Sequence, residues 1–386
     1  MSAVRGTRAA APRDGTADLV LRVLPSSARG RAGQVWRAVE SAAPDISPFA
    51  RWDWTQLWLD HYGDAVPHEH VIAERGGVPC GAVLLTRSMR FHGPLAVRRL
   101  HLGTSGEPPH EGVFVEYNGL CARSADRAAM ARALLVHVQR TGGWDELHLD
   151  GFEPAVAAPL LAAEPRFSVE RRSSRVLDLD QPGDLVDALH SKSARATVRR
   201  SLRGISPYTT EWAEDCERAH AILDDLERLH QQRWRARGEP GAFASTRFRS
   251  FHRHLIEQWL PKGRAVVFAV RQDGVTVAAL YGFVAGTTLQ FYQGGFRTFV
   301  SNKVRAGYAA HLLLAGAARE RGLRSYEYLT GDHRYKTELS TSERTLVWAT
   351  LTSRHPRALA ISAARNARQA LRTLRQGSPS RTSNRP

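Results

Sequence analysis

The chain has little cysteine. Cys80, Cys121 and Cys216 are its three in 386 residues, and their odd number and wide spacing exclude a disulfide framework and a zinc cluster, leaving reduced thiols as the expectation. Long apolar runs are missing as well. No stretch approaches the roughly 20 uncharged residues that span a bilayer, and Leu19-Val20-Leu21 is cut by Arg22 before a signal-peptide apolar region can form. The sequence therefore predicts a soluble, cytoplasmic protein. It also lacks the Gly-x-x-x-x-Gly-Lys-Ser/Thr, Gly-x-Ser-x-Gly and His-Glu-x-x-His motifs of phosphate loops, serine hydrolases and zinc proteases. His68-Glu69-His70 puts two imidazoles on one strand face without a third ligand nearby, so no metal is expected. Gly103-Thr104-Ser105-Gly106 is not followed by a helix pattern and reads as a turn.

What is present suits a globular chain. Apolar residues make up 42% and charged residues 24%, and at roughly 150 residues per domain the length predicts two to three domains. The net charge of +16 is concentrated at the ends. Residues 352–386 hold eight Arg and no acid, residues 1–37 hold seven Arg against Asp14 and Asp18, and the long middle is left with only +3. The ends suit a polyanion or an anionic membrane surface, and equally serve as solvated extensions.

Strand and helix patterns alternate. Residues 1–17 and 377–386 have no apolar period and read as disordered. Pro48 to Leu59 reads as the start of a helix, with Trp54, Leu57 and Trp58 at helical spacing, a core signature. Val71–Glu74 and Gly81–Arg87 bracket Gly76-Gly77 as a hairpin. Helices are expected at Ala125–Gln139, Asp184–Arg203, Asp215–Arg237, Phe248–Trp259 and Val304–Arg321. Strands are expected at Asp145–Asp150, Arg175–Leu179, Arg264–Arg271, Val275–Val284, Thr288–Gln293 and Ser325–Thr330, with Asp273-Gly274 as a hairpin turn. Each half mixes antiparallel hairpins with flanking helices, so the fold class is α+β with a boundary near 170–180.

Chemistry concentrates in residues 288–338. A strand ends in Gly294-Gly295, a linker with Lys303 and Arg305 leads into a helix, and a further strand ends in Gly331-Asp332. A helix N-terminus with nearby cations is a ready anion site, and Gly307 and Ala309 are small enough for a pyrophosphate to approach. On a helical wheel at about 100° per residue, Lys192, Arg195, Arg199, Arg200 and Arg203 fall within roughly 140° of arc. No acid interrupts them. Such a stripe meets phosphates or stays a solvated face. The tail helix, 355–376, gathers Leu and Ala on one side and Arg on the other.

The order Phe291-Tyr292-Gln293-Gly294-Gly295-Phe296, a small-residue helix ending at Gly322, and Gly331-Asp332-x-x-Tyr335-Lys336 resembles the GNAT-fold acetyltransferases of the CelD/BcsL-like family. That family is similar to the Fem-type aminoacyl transferases, which pair two GNAT folds and take aminoacyl groups from tRNA. The resemblance covers roughly residues 20–350. It implies tandem GNAT-like domains, each a mixed, largely antiparallel sheet flanked by helices. Residues 18–175 would be a degenerate N-terminal domain, 176–352 the acyltransferase domain, 1–17 a basic N-terminus, and 353–386 a basic helix and tail. The implied reaction is transfer of an acyl group, in the first instance acetyl, from acyl-CoA to an amine of a small molecule or cell-envelope precursor. Aminoacyl-tRNA as donor and a non-catalytic binding module are the alternatives.

In that reading Asp332 is the base, Tyr335 protonates the leaving thiolate and Lys336 holds an anionic group. Gln293, Gly294, Lys303, Arg305, Gly307 and Ala309 form the acyl-CoA site. Tyr292, Glu116 and Asn118 contact the acceptor. Lys192, Arg195, Arg199 and Arg203 meet a polyanion such as tRNA. The helix start departs from the usual Gln/Arg-x-x-Gly-x-Gly/Ala pattern, because Val304 stands three before Gly307. Location at the inner membrane face, through the basic ends, is the implied peripheral option.

Overall fold

The computed structural model describes residues 19–376 apart from Pro44, Pro94 and Asn302. The ends read as disordered, 1–17 and 377–386, lie outside the described residues. The N-terminal half runs β1 (Leu19–Pro25), α1 (Arg29–Ser41), α2 (Trp52–Tyr62), β2 (His68–Arg75), β3 (Val78–His92), β4 (Leu95–Leu102), β5 (Cys121–Ala122), α3 (Arg127–Thr141), β6 (Glu146–Phe152), α4 (Pro154–Ala163) and β7 (Ser168–Asp178). The C-terminal half runs α5 (Leu185–Ala188), α6 (Lys192–Ile205), β8 (Tyr208–Trp212), α7 (Cys216–Arg235), α8 (Thr246–Trp259), β9 (Ala265–Gln272), β10 (Val275–Ala285), β11 (Thr288–Phe296), α9 (Ala306–Glu320), β12 (Ser325–Thr330), α10 (Arg334–Glu338), β13 (Ser342–Thr352) and α11 (Pro356–Gln376).

Both halves have one plan. Four antiparallel strands end in a strand that pairs in parallel with the next after a helical crossover: β4 with β6 across α3, and β11 with β12 across α9. The tandem α+β arrangement expected from the sequence is present. The last strands are exchanged between halves. β7 pairs with β12, β13 pairs with β6, and β7 and β13 pair with each other. One continuous sheet results, in the order β1-β2-β3-β4-β6-β13-β7-β12-β11-β10-β9-β8.

Local chemistry explains the element ends. Ser191, Asp215 and Ser245 each accept a backbone N–H at the N-cap of α6, α7 and α8. Asp273 and Gly274 both have positive φ, 50° and 75°, as a tight two-residue hairpin turn demands. The aromatic helix is as expected in its core role: Trp54, Leu57 and Trp58 are buried. They join a core shared by both halves, in which Trp54 meets Phe251 edge-on at 5.2 Å and tilts against Trp259 at 5.6 Å.

Three expectations change. The helix foreseen over Asp184–Arg203 breaks at Leu189–Ser191, because Ser191 turns to cap α6. The strand foreseen at Arg175–Leu179 begins seven residues earlier, as β7. β4 has no counterpart in the sequence reading because Arg98 and Arg99 interrupt its alternation. They are tolerated because Asp145 and Glu146 pair with them at 3.0 Å from the neighbouring strand end.

Candidate active site

Parallel strands that pair briefly and then diverge leave a wedge between them. In the C-terminal half the ladder holds Thr288–Gln290 against Ser325–Glu327 and stops there. Aromatic rings occupy the wedge beyond it. His311 of α9 lies edge-on to Phe291 at 4.6 Å, stacks on Tyr335 at 5.1 Å and receives or gives a hydrogen bond to the Tyr326 hydroxyl at 2.8 Å. Burial pushes the His311 imidazole down to about 3, so it stays neutral. A Cβ on Gly294 would fall 2.6 Å from the Phe296 ring. The same ring lies over the first turn of α9, 3.5 Å from where a Gly307 Cβ would be, and Ala309 is buried in the core. Gln293 is half-buried in the β10–β11 ladder opposite Tyr281.

At the start of α9, Lys303 and Arg305 are exposed. The Arg305 N–H donates to Ser201 of α6 at 3.0 Å, and its guanidinium reaches the Tyr308 hydroxyl at 3.2 Å. α6 packs close here, since a Cβ on Gly204 would meet Val304 at 2.6 Å. The basic stripe therefore borders the helix start, with Lys192 and Arg203 exposed. It is not continuous: Arg199 pairs with Asp187 of α5, and Arg195 donates to the Leu189 carbonyl. α5 supplies an acid that the wheel of α6 alone cannot show.

The two halves meet at the end of β12. Glu116 comes from the loop between β4 and β5, and its carboxylate accepts from the Thr330 N–H at 3.0 Å and from the Thr330 hydroxyl. Burial raises its pKa above the usual glutamate value, against the lowering pull of Thr330 and Lys336. Lys336 is buried and donates to the Thr330 and Leu329 carbonyls. Burial lowers its pKa, opposed by Glu116, Asp332 and Glu327. Tyr335 is half-buried, and burial raises its hydroxyl. Asp332 is exposed on the adjoining turn, whereas the Glu116 carboxyl beside Thr330 is half-buried. Glu116 lines a cavity of about 510 Å³ together with His101, His148, Asp150, Arg172 and Thr330.

Two expected acceptor contacts are used up internally. Asn118 is 2% exposed, donates to the Leu102 carbonyl and accepts from the Gly119 N–H, both at 2.9 Å. The Tyr292 hydroxyl donates to the Val113 carbonyl at 2.5 Å, which ties the Glu116 loop to β11. His101, His148, Asp150, Arg172 and Thr330 escaped the sequence reading. The signal was the alternation Arg99-x-His101 and Glu146-x-His148-x-Asp150, which puts polar groups on one sheet face. Among the described residues no group of three or more potential ligands is placed to hold a metal.

With this geometry in hand, comparison with known proteins is informative. Residues 192–337 match the family described as "Acetyltransferase (GNAT) domain". The fold resembles the crystal structure of FemX, at 12% identity, with 82% of this chain and 95% of that one covered and a TM-score of 0.53. It also resembles the C-terminal domain of a putative lysylphosphatidylglycerol synthetase from Agrobacterium fabrum, at 12% identity, 87% and 96% coverage and a TM-score of 0.51. No curated protein matches. No helix among the described residues is long and apolar enough to cross a membrane.

Proposed function

We propose that this chain, whose residues 192–337 match the family described as "Acetyltransferase (GNAT) domain", moves an acyl group from a thioester donor, acyl-CoA, to an amine bound in the cavity between the halves. The observation that carries this reading is Glu116, a carboxyl with a raised pKa on the wall of a cavity of about 510 Å³ and hydrogen-bonded to the last residue of the diverging strand β12. An attacking amine must lose a proton, and a carboxylate whose basicity burial has increased is suited to take it. The base expected at Asp332 is thus Glu116, and Asp332 stays as the exposed counter-charge facing Lys336. Tyr335, kept protonated by burial, supplies the proton to the leaving thiolate. Lys336 fixes the carbonyls of Leu329 and Thr330 and so positions the strand end.

For the donor, Lys303 and Arg305 at the start of α9 fit the charge of a diphosphate. Gly294 and Gly307, both beside Phe296, would border the acyl arm, while Ala309 is buried in the core behind them and Gln293 sits in the β10–β11 ladder. The units in this proposal are those drawn from the sequence, 18–175 and 176–352. The acceptor is a small-molecule or envelope-precursor amine. Calorimetric titration with acetyl-CoA and longer acyl-CoAs tests the donor. Micromolar binding lost in Lys303→Ala/Arg305→Ala is the expected result, and no heat with any acyl-CoA overturns it.

One observation favours a second reading, with aminoacyl-tRNA as donor. The aromatic packing of the β11–β12 wedge is tight, while Lys192 and Arg203 remain exposed beside α9. Binding of tRNA whose affinity falls steeply with salt, weakened by neutralising Lys192 and Arg203, would support it.

A further inference from the structure

The N-terminal half has its own wedge, and it is polar. β4 and β6 pair from Arg99–Glu146 to His101–His148 and then part. On the other side β4 pairs with β3, placing Ser88 opposite Arg99. Side chains two apart on a strand share a face, so Ser88, His101, His148 and Asp150 stand on the same side of the sheet. The Ser88 hydroxyl lies 2.9 Å from His101 Nε2, and His101 Nδ1 lies 2.8 Å from Asp150 Oδ2. The same Asp150 oxygen accepts from the Ser105 hydroxyl at 3.2 Å. His101 is 6% exposed and stacked on His148 at 5.2 Å, which fixes the imidazole plane.

Two further features frame this chain of hydrogen bonds. Gly106, at φ 93°, lays the loop over the pair: a Cβ there would sit 3.3 Å from Ser88 Cβ and 3.4 Å from His101 Cδ2. Ser88 also lines a second cavity, of about 440 Å³, with Met89, Arg90, Leu100, Pro108 and Trp144. Arg90 lies on the Ser88 face of β3, donates to the Glu107 carbonyl at 3.0 Å and borders both cavities. A carboxylate that accepts from Nδ1 leaves Nε2 free to accept the serine proton, the arrangement that activates a hydroxyl for attack on a carbonyl.

We propose that Ser88, His101 and Asp150 form a nucleophilic serine site, with a reaction separate from that of Glu116 although His101 and Asp150 share its cavity wall, which takes an acyl group from a carboxylic ester or thioester held beside Arg90, Arg99 and Pro108 in the cavity that Ser88 lines. Ser88 Oγ forms a bond to the acyl carbon while His101 Nε2 takes the hydroxyl proton. The carbon–oxygen or carbon–sulfur bond of the substrate breaks, and His101 returns the proton to the leaving alcohol or thiol. Water, deprotonated by His101, then attacks the acyl-serine, releasing the carboxylic acid and restoring Ser88. Asp150 holds the imidazole tautomer throughout. Arg90 faces the charge that develops on the carbonyl oxygen.

The test uses the full chain and needs neither CoA nor an amine, so its failure is separable from failure of the amine-acylation reading. A fluorophosphonate should add once per chain, with peptide mass mapping placing the adduct on Ser88. Hydrolysis of p-nitrophenyl acetate or butyrate should fall at least ~100-fold in Ser88→Ala and in His101→Gln. The wild-type adduct map does not depend on how the variants fold. No adduct, an adduct only at another residue, or a folded Ser88→Ala protein hydrolysing the ester at the wild-type rate would overturn the proposal and leave the three residues a structural hydrogen-bonded row.

Discussion

The same wedge occurs twice in this chain and is filled in opposite ways. In the C-terminal half, where the acetyltransferase family matches, Phe291, Phe296, Tyr326 and Tyr335 close around a neutral His311. In the N-terminal half, which that match does not reach, the corresponding strands carry His101, His148 and Asp150 into a cavity. Packing rings into a wedge gains dispersion and apolar burial. A polar wedge gains little stability unless every group finds a partner, as His101 and Asp150 do. The half that the family model matches is therefore not the half whose wedge carries polar groups into a cavity. The exchanged strands β7 and β13 make both wedges parts of one sheet.

The largest effect that would test this comparison lies at the exchange itself. Glu327 is fully buried between Tyr117, Ser174 and Arg344. Glu327→Ala strands these donors, and a loss of about 3–5 kcal/mol is expected by urea unfolding. A loss below about 1 kcal/mol would mean that the halves hold together without this buried network.

Next comes the shared cavity. Glu116→Gln should lower amine acylation about 100-fold or more, with KM for the donor little changed. The sign of the pH effect follows from the raised carboxyl: the wild-type rate falls as pH drops through a value above the usual 4.5, and this limb disappears in the variant. Equal rates for both proteins would remove Glu116 from the reaction.

The aromatic wedge should respond less. Phe296→Ala, at a half-buried position, is expected to cost about 2 kcal/mol in thermal or urea unfolding. If acyl-CoA enters between β11 and β12, the same change opens the path and tightens donor binding in calorimetry. Unchanged affinity would place the donor elsewhere.

The smallest effect concerns acid. Burial would raise Asp145, but hydrogen bonds from Arg98 and Arg357 outweigh it and hold it down at about 2. Burial of Glu146 is likewise outweighed by His148, Arg365 and Arg99, which leaves it at about 2. Carboxylates depressed in the folded state stabilise it above their ordinary values of 3.8 and 4.5. That contribution is lost as pH falls toward about 2. Arg357 and Arg365 belong to α11, so lowering the pH from about 5 to about 2.5 should expose α11 to hydrogen exchange before the C-terminal core. Loss of protection in the core first would refute the ordering.

Much of the fold was legible. Asp273-Gly274 announced its hairpin, the helices over 215–237 and 248–259 followed their apolar spacing, and the Trp54–Trp58 spacing marked a core face; the cap at Ser191, inside an expected helix, was not legible. Glu116 was singled out because an apolar run ends there on polar residues, and Lys336 because of the resemblance carried by Gly331-Asp332-x-x-Tyr335-Lys336. β4 was hidden because Arg98 and Arg99 break a pattern that only Asp145 and Glu146 can satisfy. Asn118 carried the right chemistry for an acceptor contact, yet its amide serves the turn at Gly103.

The sequence by itself determined most helices and strands, the Asp273-Gly274 turn, the doubled α+β plan and the family resemblance, because these depend on neighbours within a few residues. Only the tertiary structure decided which strands cross between halves, that α5 neutralises part of the α6 stripe, and that Glu116 reaches Thr330 across 214 positions. It also decided that Ser88, His101 and Asp150 stand in one row. Distances of that kind are set by sheet register and strand order, and neither is written in any local stretch of the chain.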